Sequence, residues 1–227
     1  MFVPWFIMPS RDGRPSADLE QAEIKWKLVT FGAAGVGKTS LLVRFAKRTF
    51  DLTKPTVGID YLPVTLMLEG RKTIVNAWDT AGSERYQAIN SAYIRNADIA
   101  LLVFDLSSES SLEQAEDARR MVRAERPECV CALIGTKSDL NDGDWVRRAD
   151  IQKRIRKLKC LGGFYKTSAK SQKQVDDALL STLGVYYAII QARLLRASER
   201  AIANIRSEVE VDIASRRDTS RGNSCCD

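Results

Sequence analysis

Histidine is absent from the 227 residues. That omission excludes every mechanism built on imidazole: no Ser-His-Asp triad, no Cys-His pair and no His-ligated zinc. Chemistry in this chain must come from backbone amides, carboxylates, lysines, hydroxyls or a bound ion. No uninterrupted apolar run approaches eighteen residues, so a membrane-spanning helix is not expected. Cysteines are few and poorly spaced for a framework. Cys129 and Cys131 lie two apart in an apolar run, Cys160 stands alone, and Cys225 and Cys226 are adjacent near the end. No spacing matches a zinc site and an odd count is a poor disulfide scaffold, which points to a reducing compartment. Disorder of the whole chain is also excluded, because 44% of residues are hydrophobic and 28% charged, an ordinary globular mixture.

What is present begins with an unusual leader. Met1 to Met8 reads Met-Phe-Val-Pro-Trp-Phe-Ile-Met. It is too short, lacks preceding basic residues and carries Pro4, so it fails as a signal peptide. Phe2 stands where myristoylation requires glycine. Residues 1–24 read as a flexible N-terminal extension, either a disordered leader or an apolar clip onto the domain or a membrane surface.

From residue 25 the pattern alternates strand and helix. Strands are expected at 27–32, 61–68, 72–78, 98–105, 129–135 and 163–167; 61–68 and 72–78 flank Glu69-Gly70-Arg71 as a hairpin. The runs at 98–105 and 129–135 are continuously apolar, as for strands buried on both faces. Helices are expected at 38–47, 110–125, 149–158 and 175–197. The alternation predicts one α/β domain over 25–197, with a parallel sheet and right-handed crossovers. Residues 198–227 read as a tail. Ile202, Ile205, Val209 and Ile213 keep a three- and four-residue spacing, extending the last helix or forming one on binding, and disorder is expected after Arg216.

Four short motifs carry chemistry. Gly32-Ala33-Ala34-Gly35-Val36-Gly37-Lys38-Thr39, followed by Ser40, fits Gly-x4-Gly-Lys-Ser/Thr between a strand and a helix, the context of a phosphate-binding loop. Its glycines let successive N–H groups face inward, and the helix N-terminus adds its positive end. Lys38 is then expected to span the β- and γ-phosphates and Thr39 to ligate Mg²⁺ through its hydroxyl. Asp79-Thr-Ala-Gly82 closes the hairpin; Asp79 suits holding Mg²⁺ through water, and the Gly82 N–H suits the γ-phosphate, though alone this is also a simple turn. Thr136-Lys137-Ser138-Asp139 follows an apolar strand. A carboxylate there accepts from the N1–H and exocyclic amine of guanine, a donor pair that adenine lacks. Ser168-Ala169-Lys170 follows the last strand, where a backbone N–H meets guanine O6. Each is weak singly; in this order, at strand carboxyl ends on one sheet edge, the set is strong.

On these residues the chain resembles a Ras-superfamily small GTPase, and most of all the Rab branch, over about residues 25–197. Rab-like features are Thr56-Val-Gly-Ile-Asp-Tyr61, Trp78-Asp-Thr-Ala-Gly-Ser-Glu-Arg-Tyr86, Tyr93-Ile-Arg-Asn-Ala97 and the terminal cysteine pair. The resemblance implies a single P-loop NTPase domain whose sheet is six-stranded and mostly parallel, with one antiparallel edge strand and helices on both faces. It implies a GTP/GDP switch that regulates vesicle trafficking and hydrolyses GTP with Mg²⁺ held by Thr39, Thr56 and Asp79. Lys38, Thr56, Gly82 and Ser83 would surround the γ-phosphate, and Phe50 would pack edge-on against the guanine. Tyr61, Trp78 and Tyr93 would form the patch that effectors read, or be plain strand and core aromatics. Partners implied are an exchange factor, a GTPase-activating protein and effectors, acting on a monomer, with nucleic acid not expected among them. Cys225 and Cys226 resemble a double geranylgeranylation signal, two lipids being what stable anchoring needs. The expected location is the cytoplasmic face of intracellular membranes, cycling with the cytosol.

The chain departs from the family pattern at four places. Ser83 stands where a glutamine usually orients the attacking water, and serine is too short to reach it. Positioning is a large part of phosphoryl-transfer catalysis, so slow intrinsic hydrolysis is expected. That keeps open a second possibility, a hydrolysis-poor and largely GTP-loaded scaffold. Ala34 replaces glycine or serine, Thr136 replaces asparagine as in the Rho branch, and the segment from Phe50 to Thr56 is one residue short. Charge is uneven too: residues 147–173 hold ten Lys/Arg against Asp150 alone, in a chain of net charge +6. That stretch reads as a solvated face, a nucleic-acid stripe or a bilayer-facing patch.

Overall fold

Strands covered on both faces have no polar face to show, and the two continuous apolar runs form the middle of the sheet. The computed structural model describes residues 23–50, 56, 58–80, 92–140, 153, 154 and 156–221, with side chains as far as 203. The elements in chain order are β1 (Ile24–Phe31), α1 (Lys38–Lys47), β2 (Ile59–Leu68), β3 (Arg71–Thr80), β4 (Ile99–Asp105), α2 (Glu109–Glu125), β5 (Val130–Thr136), β6 (Phe164–Lys166) and α3 (Gln172–Arg221). Every residue of β4 and β5 is buried. The sheet order is β2-β3-β1-β4-β5-β6. Only β2 and β3 pair antiparallel, from Leu68↔Arg71 outward; the other pairings are parallel. The expected single α/β domain with one antiparallel edge strand is the observed one, with strand ends moved by at most three residues.

Alternate strand residues supply opposite faces of the core. On one face Val29, Phe31, Ala100, Leu102, Phe104, Cys131 and Leu133 pack with Leu112, Ala115, Ala118 and Val122 of α2. Serines start that helix: the Ser108 hydroxyl accepts from Ser111 N–H at 3.3 Å, which satisfies one of the first-turn donors. On the other face Trp26 meets Tyr186 of α3 edge-on, with ring centroids 5.1 Å apart. The Tyr186 hydroxyl donates to Asp98 at 2.7 Å, and the second carboxylate oxygen of Asp98 accepts from Lys27 N–H at 2.8 Å. One carboxylate thus joins β1, the start of β4 and α3.

The last helix departs from expectation. It continues to Arg221, past the point where a disordered tail was expected. Positions 185–221 contain no glycine or proline, the two residues that most oppose a helix, and Gly222 follows as a usual stop. The chain divides into two compact units, Met1–Tyr186 and Tyr187–Asp227. In the first, Val175, Ala178, Leu179, Leu183 and Tyr186 are core residues; in the second, Leu194, Leu195 and Ile202 are exposed. Gln172–Ala203 also has a window of mean hydropathy 1.4, apolar enough to cross a membrane by length and composition. Counting uninterrupted apolar residues overlooked this, because scattered polar residues interrupt the run. Part of that apolar content faces the core.

The basic stretch is not uniformly solvated. Residues 153–154 and 156–158 are helical, and Arg154 turns onto the acidic side of α2. Its Nε and Nη2 donate to Glu116 at 2.6 and 3.2 Å, with Glu109 at 3.4 Å and Glu113 at 3.8 Å.

Replacing Tyr186 by Phe removes the donor to Asp98 and leaves the ring contact intact. Urea titration is expected to show a loss of about 1.5–3 kcal/mol, the usual size for a hydrogen bond to a charged group.

Candidate functional site

The carboxyl ends of β1, β3, β4, β5 and β6 all lie on one sheet edge, as parallel pairing requires. The loop after β1 begins at Gly32 with φ +147°, and a Cβ there would lie 2.0 Å from the Val103 carbonyl oxygen. Only glycine lets the chain pass so close to β4. Gly37, at φ +98°, precedes α1; that helix has no side-chain cap and no acidic residue in its first turn. Its first amides and its positive end are therefore open toward an anion.

Lys38 is almost fully buried, and its ammonium donates to the carbonyls of Gly32 at 2.9 Å and Ala33 at 2.8 Å. Burial pushes its pKa down to about 8, against the pull of the Asp79 charge. The neighbouring oxygens converge: the Thr39 hydroxyl donates to Asp79 at 2.5 Å, and the Thr56 hydroxyl lies 2.6 Å from Thr39 and 3.3 Å from the same carboxylate oxygen. Asp79 is fully buried at the end of β3. Burial raises its pKa, while hydrogen bonds from Thr39, Thr30 and Thr56 and the Lys38 charge oppose the rise. This all-oxygen donor set is the kind that hard divalent cations take.

A second cluster stands at the ends of β5 and β6. Asp139 accepts from Ser168 Oγ at 2.6 Å and pairs with the Lys170 ammonium at 2.6 Å. Those two bonds, Lys170 first, hold its carboxyl below the usual range. Lys137, at φ +59°, pairs with Asp105 at 2.7 Å. Thr136 Oγ1 sits 2.5 Å from the Val36 carbonyl and 2.9 Å from that of Phe104, tying the loop after β1 to β4 and β5. A cavity of about 710 Å³ joins the two clusters, within the usual range for a small-molecule site.

A family model described as "Ras family" matches residues 27–187. The chain belongs to the Ras family. It is 35% identical over 210 residues to "Ras-related protein RABA2a" of Arabidopsis thaliana, covering 91% of this chain and 96% of the relative. "Ras-related protein Rab11A" of Nicotiana tabacum is 38% identical over 178 residues, 78% of this chain and 82% of that one. "Ras-related protein RIC2" of Oryza sativa subsp. japonica is 34% identical over 203 residues, 88% and 93%. This is a Rab-like small GTPase, and GTP hydrolysis is the activity of its family.

Residues 34–40, Phe50, Thr56, Thr136, Lys137, Asp139 and 168–170 all line the cavity. Gly32 and Ala33 lie behind it as acceptors for Lys38, and Asp79 behind Thr39 and Thr56. Gly82, Ser83, Cys225 and Cys226 lie outside the described residues, as does Trp5 of the apolar leader. The three aromatics are contiguous: Trp78 lies 5.2 Å from Tyr61 and 5.9 Å from Tyr93, with the Lys27 ammonium 5.7 Å from the Trp78 ring. Trp78 and Tyr93 pack against the core, whereas Tyr61 is half exposed. The patch is therefore both core edge and surface.

Sequence reasoning missed Leu140, exposed at the mouth beside Asp139, and Thr80. It also missed Gln174. The Gln174 carbonyl oxygen accepts from Ser168 N–H at 2.8 Å and Ser138 Oγ at 3.0 Å, so one side chain orients the loops after β5 and β6. A polar residue in the first turn of the helix after Ser168-Ala169-Lys170 was the available signal.

Substituting Gly32 by Ala is expected to weaken GDP binding by about a hundredfold or more, because the backbone oxygen of Val103 cannot move out of a buried strand. Equilibrium titration with a fluorescent GDP analogue measures it.

Proposed function

We propose that the chain is a GTP/GDP switch in vesicle traffic whose intrinsic hydrolysis is slow. The observation that carries the proposal is the single cavity bounded at one end by the loop and hydroxyls of 34–40 and Thr56, and at the other by Asp139 and 168–170. In this reading the amides of 34–40 cradle the α- and β-phosphates and Lys38 moves from its loop carbonyls onto the β- and γ-phosphates. Asp139 accepts from guanine N1–H and the exocyclic amine, the Ala169 N–H donates to O6, and Phe50 lies along the base edge. Thr39, Thr56 and Asp79 suit Mg²⁺, because only oxygens converge there. When bound, that ion neutralises charge on the β- and γ-phosphate oxygens.

The switch follows from differential contact. The N–H groups of Thr56 and Gly82 meet a γ-phosphate only in the GTP-bound protein, so GTP orders the segments that carry them and hydrolysis releases them. Tyr61, Trp78 and Tyr93 then serve as the surface that effectors recognise. Cys225 and Cys226 carry two prenyl groups that hold the chain on the cytoplasmic face of intracellular membranes, in exchange with the cytosol. An exchange factor and an activating protein complete the cycle on a monomeric protein.

Ser83 sustains a second reading, a scaffold that remains loaded with GTP. Single-turnover hydrolysis of GTP without an activator tests them: fast turnover overturns the scaffold outright and leaves the switch without its claim of slow intrinsic chemistry. Ser83→Gln is expected to raise the single-turnover rate by about tenfold or more, equivalent to about 1.4 kcal/mol off the barrier. An unchanged rate would refute the role given to this position.

A further inference from the structure

The helix that begins in the phosphate loop also reaches the base end of the cavity. Arg44, in α1, donates from Nη1 to the carbonyl of Arg48 at 2.9 Å and from Nη2 to the carbonyl of Lys170 at 3.2 Å. Its Nε is buried with no partner among the described residues, so these two bonds hold the guanidinium. Arg48 is the C-cap of α1 in a left-handed conformation, φ +63°, and it grips both oxygens of Asp176 at 2.6 Å. Gln172 adds a bond to Asp176 at 2.9 Å. The end of α1 is thus fastened to the start of α3, and Arg44 extends that junction to the loop between β6 and α3.

Lys170 closes that loop. Its N–H donates to Ser168 Oγ at 3.2 Å and its ammonium pairs with Asp139. On the other side Gln174 holds Ser168 N–H. With Gln174 at one end of the loop and Arg44 at the other, the backbone between them has little freedom to rise or tilt. A planar guanidinium with two donors at a fixed angle suits this task better than a single point charge.

We infer that Arg44 is a positioning residue for base recognition: by holding the Lys170 carbonyl it fixes the Ala169 N–H at the height guanine O6 requires, and so sets the lifetime of bound guanine nucleotide. The inference rests on the guanine reading given above. It also makes α1 a mechanical link from the phosphate end of the cavity to the base end.

The test compares dissociation of GDP and 6-thioguanosine diphosphate from the full-length protein. The thio analogue keeps N1–H, the exocyclic amine and both phosphates, but replaces O6 by a weak sulfur acceptor. Arg44→Gln and Arg44→Ala are expected to speed GDP release about tenfold and release of the thio analogue less than about threefold. Arg44→Lys should recover much of the GDP retention, because it still supplies one donor. Asp176→Asn loosens only the Arg48 side and should leave the preference for GDP over the analogue unchanged. Unaltered GDP release in both Arg44→Gln and Arg44→Ala overturns the inference. So does equal acceleration for the two nucleotides, which would confine Arg44 to joining α1 and α3. Failure of the unaltered protein to retain GDP at all would instead overturn the guanine reading beneath it.

Discussion

Parallel strands in one sheet must deliver their carboxyl ends to the same edge, and the rest of the architecture follows from that constraint. The registers Phe31↔Leu102, Asp105↔Thr136 and Gly135↔Lys166 align the strand ends within a few residues. Loops that are distant in sequence therefore start side by side. β3 runs parallel to β1, so its last residues come alongside Thr30, and Thr30 donates to Asp79 at 3.3 Å. The buried, apolar β4 and β5 supply the rigidity; the polar groups of the site sit just past their ends.

Two carboxylates in this site are driven in opposite directions by their surroundings. Asp79 is sealed in at the end of β3, where burial disfavours its charge and three threonine hydroxyls and Lys38 restore part of it. Asp139 stands nearer to solvent and is held ionised by Lys170 and Ser168. A carboxylate strained by burial gains from a cation placed against it, whereas a comfortably ionised one suits hydrogen-bond donors. The chemical difference between the two ends of the cavity is thus already present in the protein alone.

The order of strands, the hairpin edge and the phosphate loop were legible in the sequence because each depends on local pattern: apolar runs, glycines at fixed spacing, a lysine at a helix start. The serines before α2 were legible for the same reason. The far extent of α3 was legible only in part: the spacing of Ile202, Ile205, Val209 and Ile213 allowed the helix to extend, whereas past Arg216 only the absence of glycine and proline marks it. Arg154 looked like one of many basic groups because its partners Glu109 and Glu116 lie 45 and 38 positions away. Gln174, Arg44 and the bridging hydroxyl of Thr136 act across tertiary contacts of the same kind. A residue pattern names the groups that meet a ligand more readily than those that hold them still.

Lys38 rests on two carbonyls of its own loop. An arriving anion must therefore displace a pair of internal ligands, and its advantage is only the margin by which it surpasses them. Neutral oxygens, or a single diffuse charge, offer little over two well-directed carbonyls. A chain of phosphates concentrates enough charge to prevail, since the ammonium then faces full opposite charges in place of carbonyl dipoles. The loop thus behaves as a comparator: its own backbone is the reference against which any visitor is weighed, and discrimination among anions begins at Lys38.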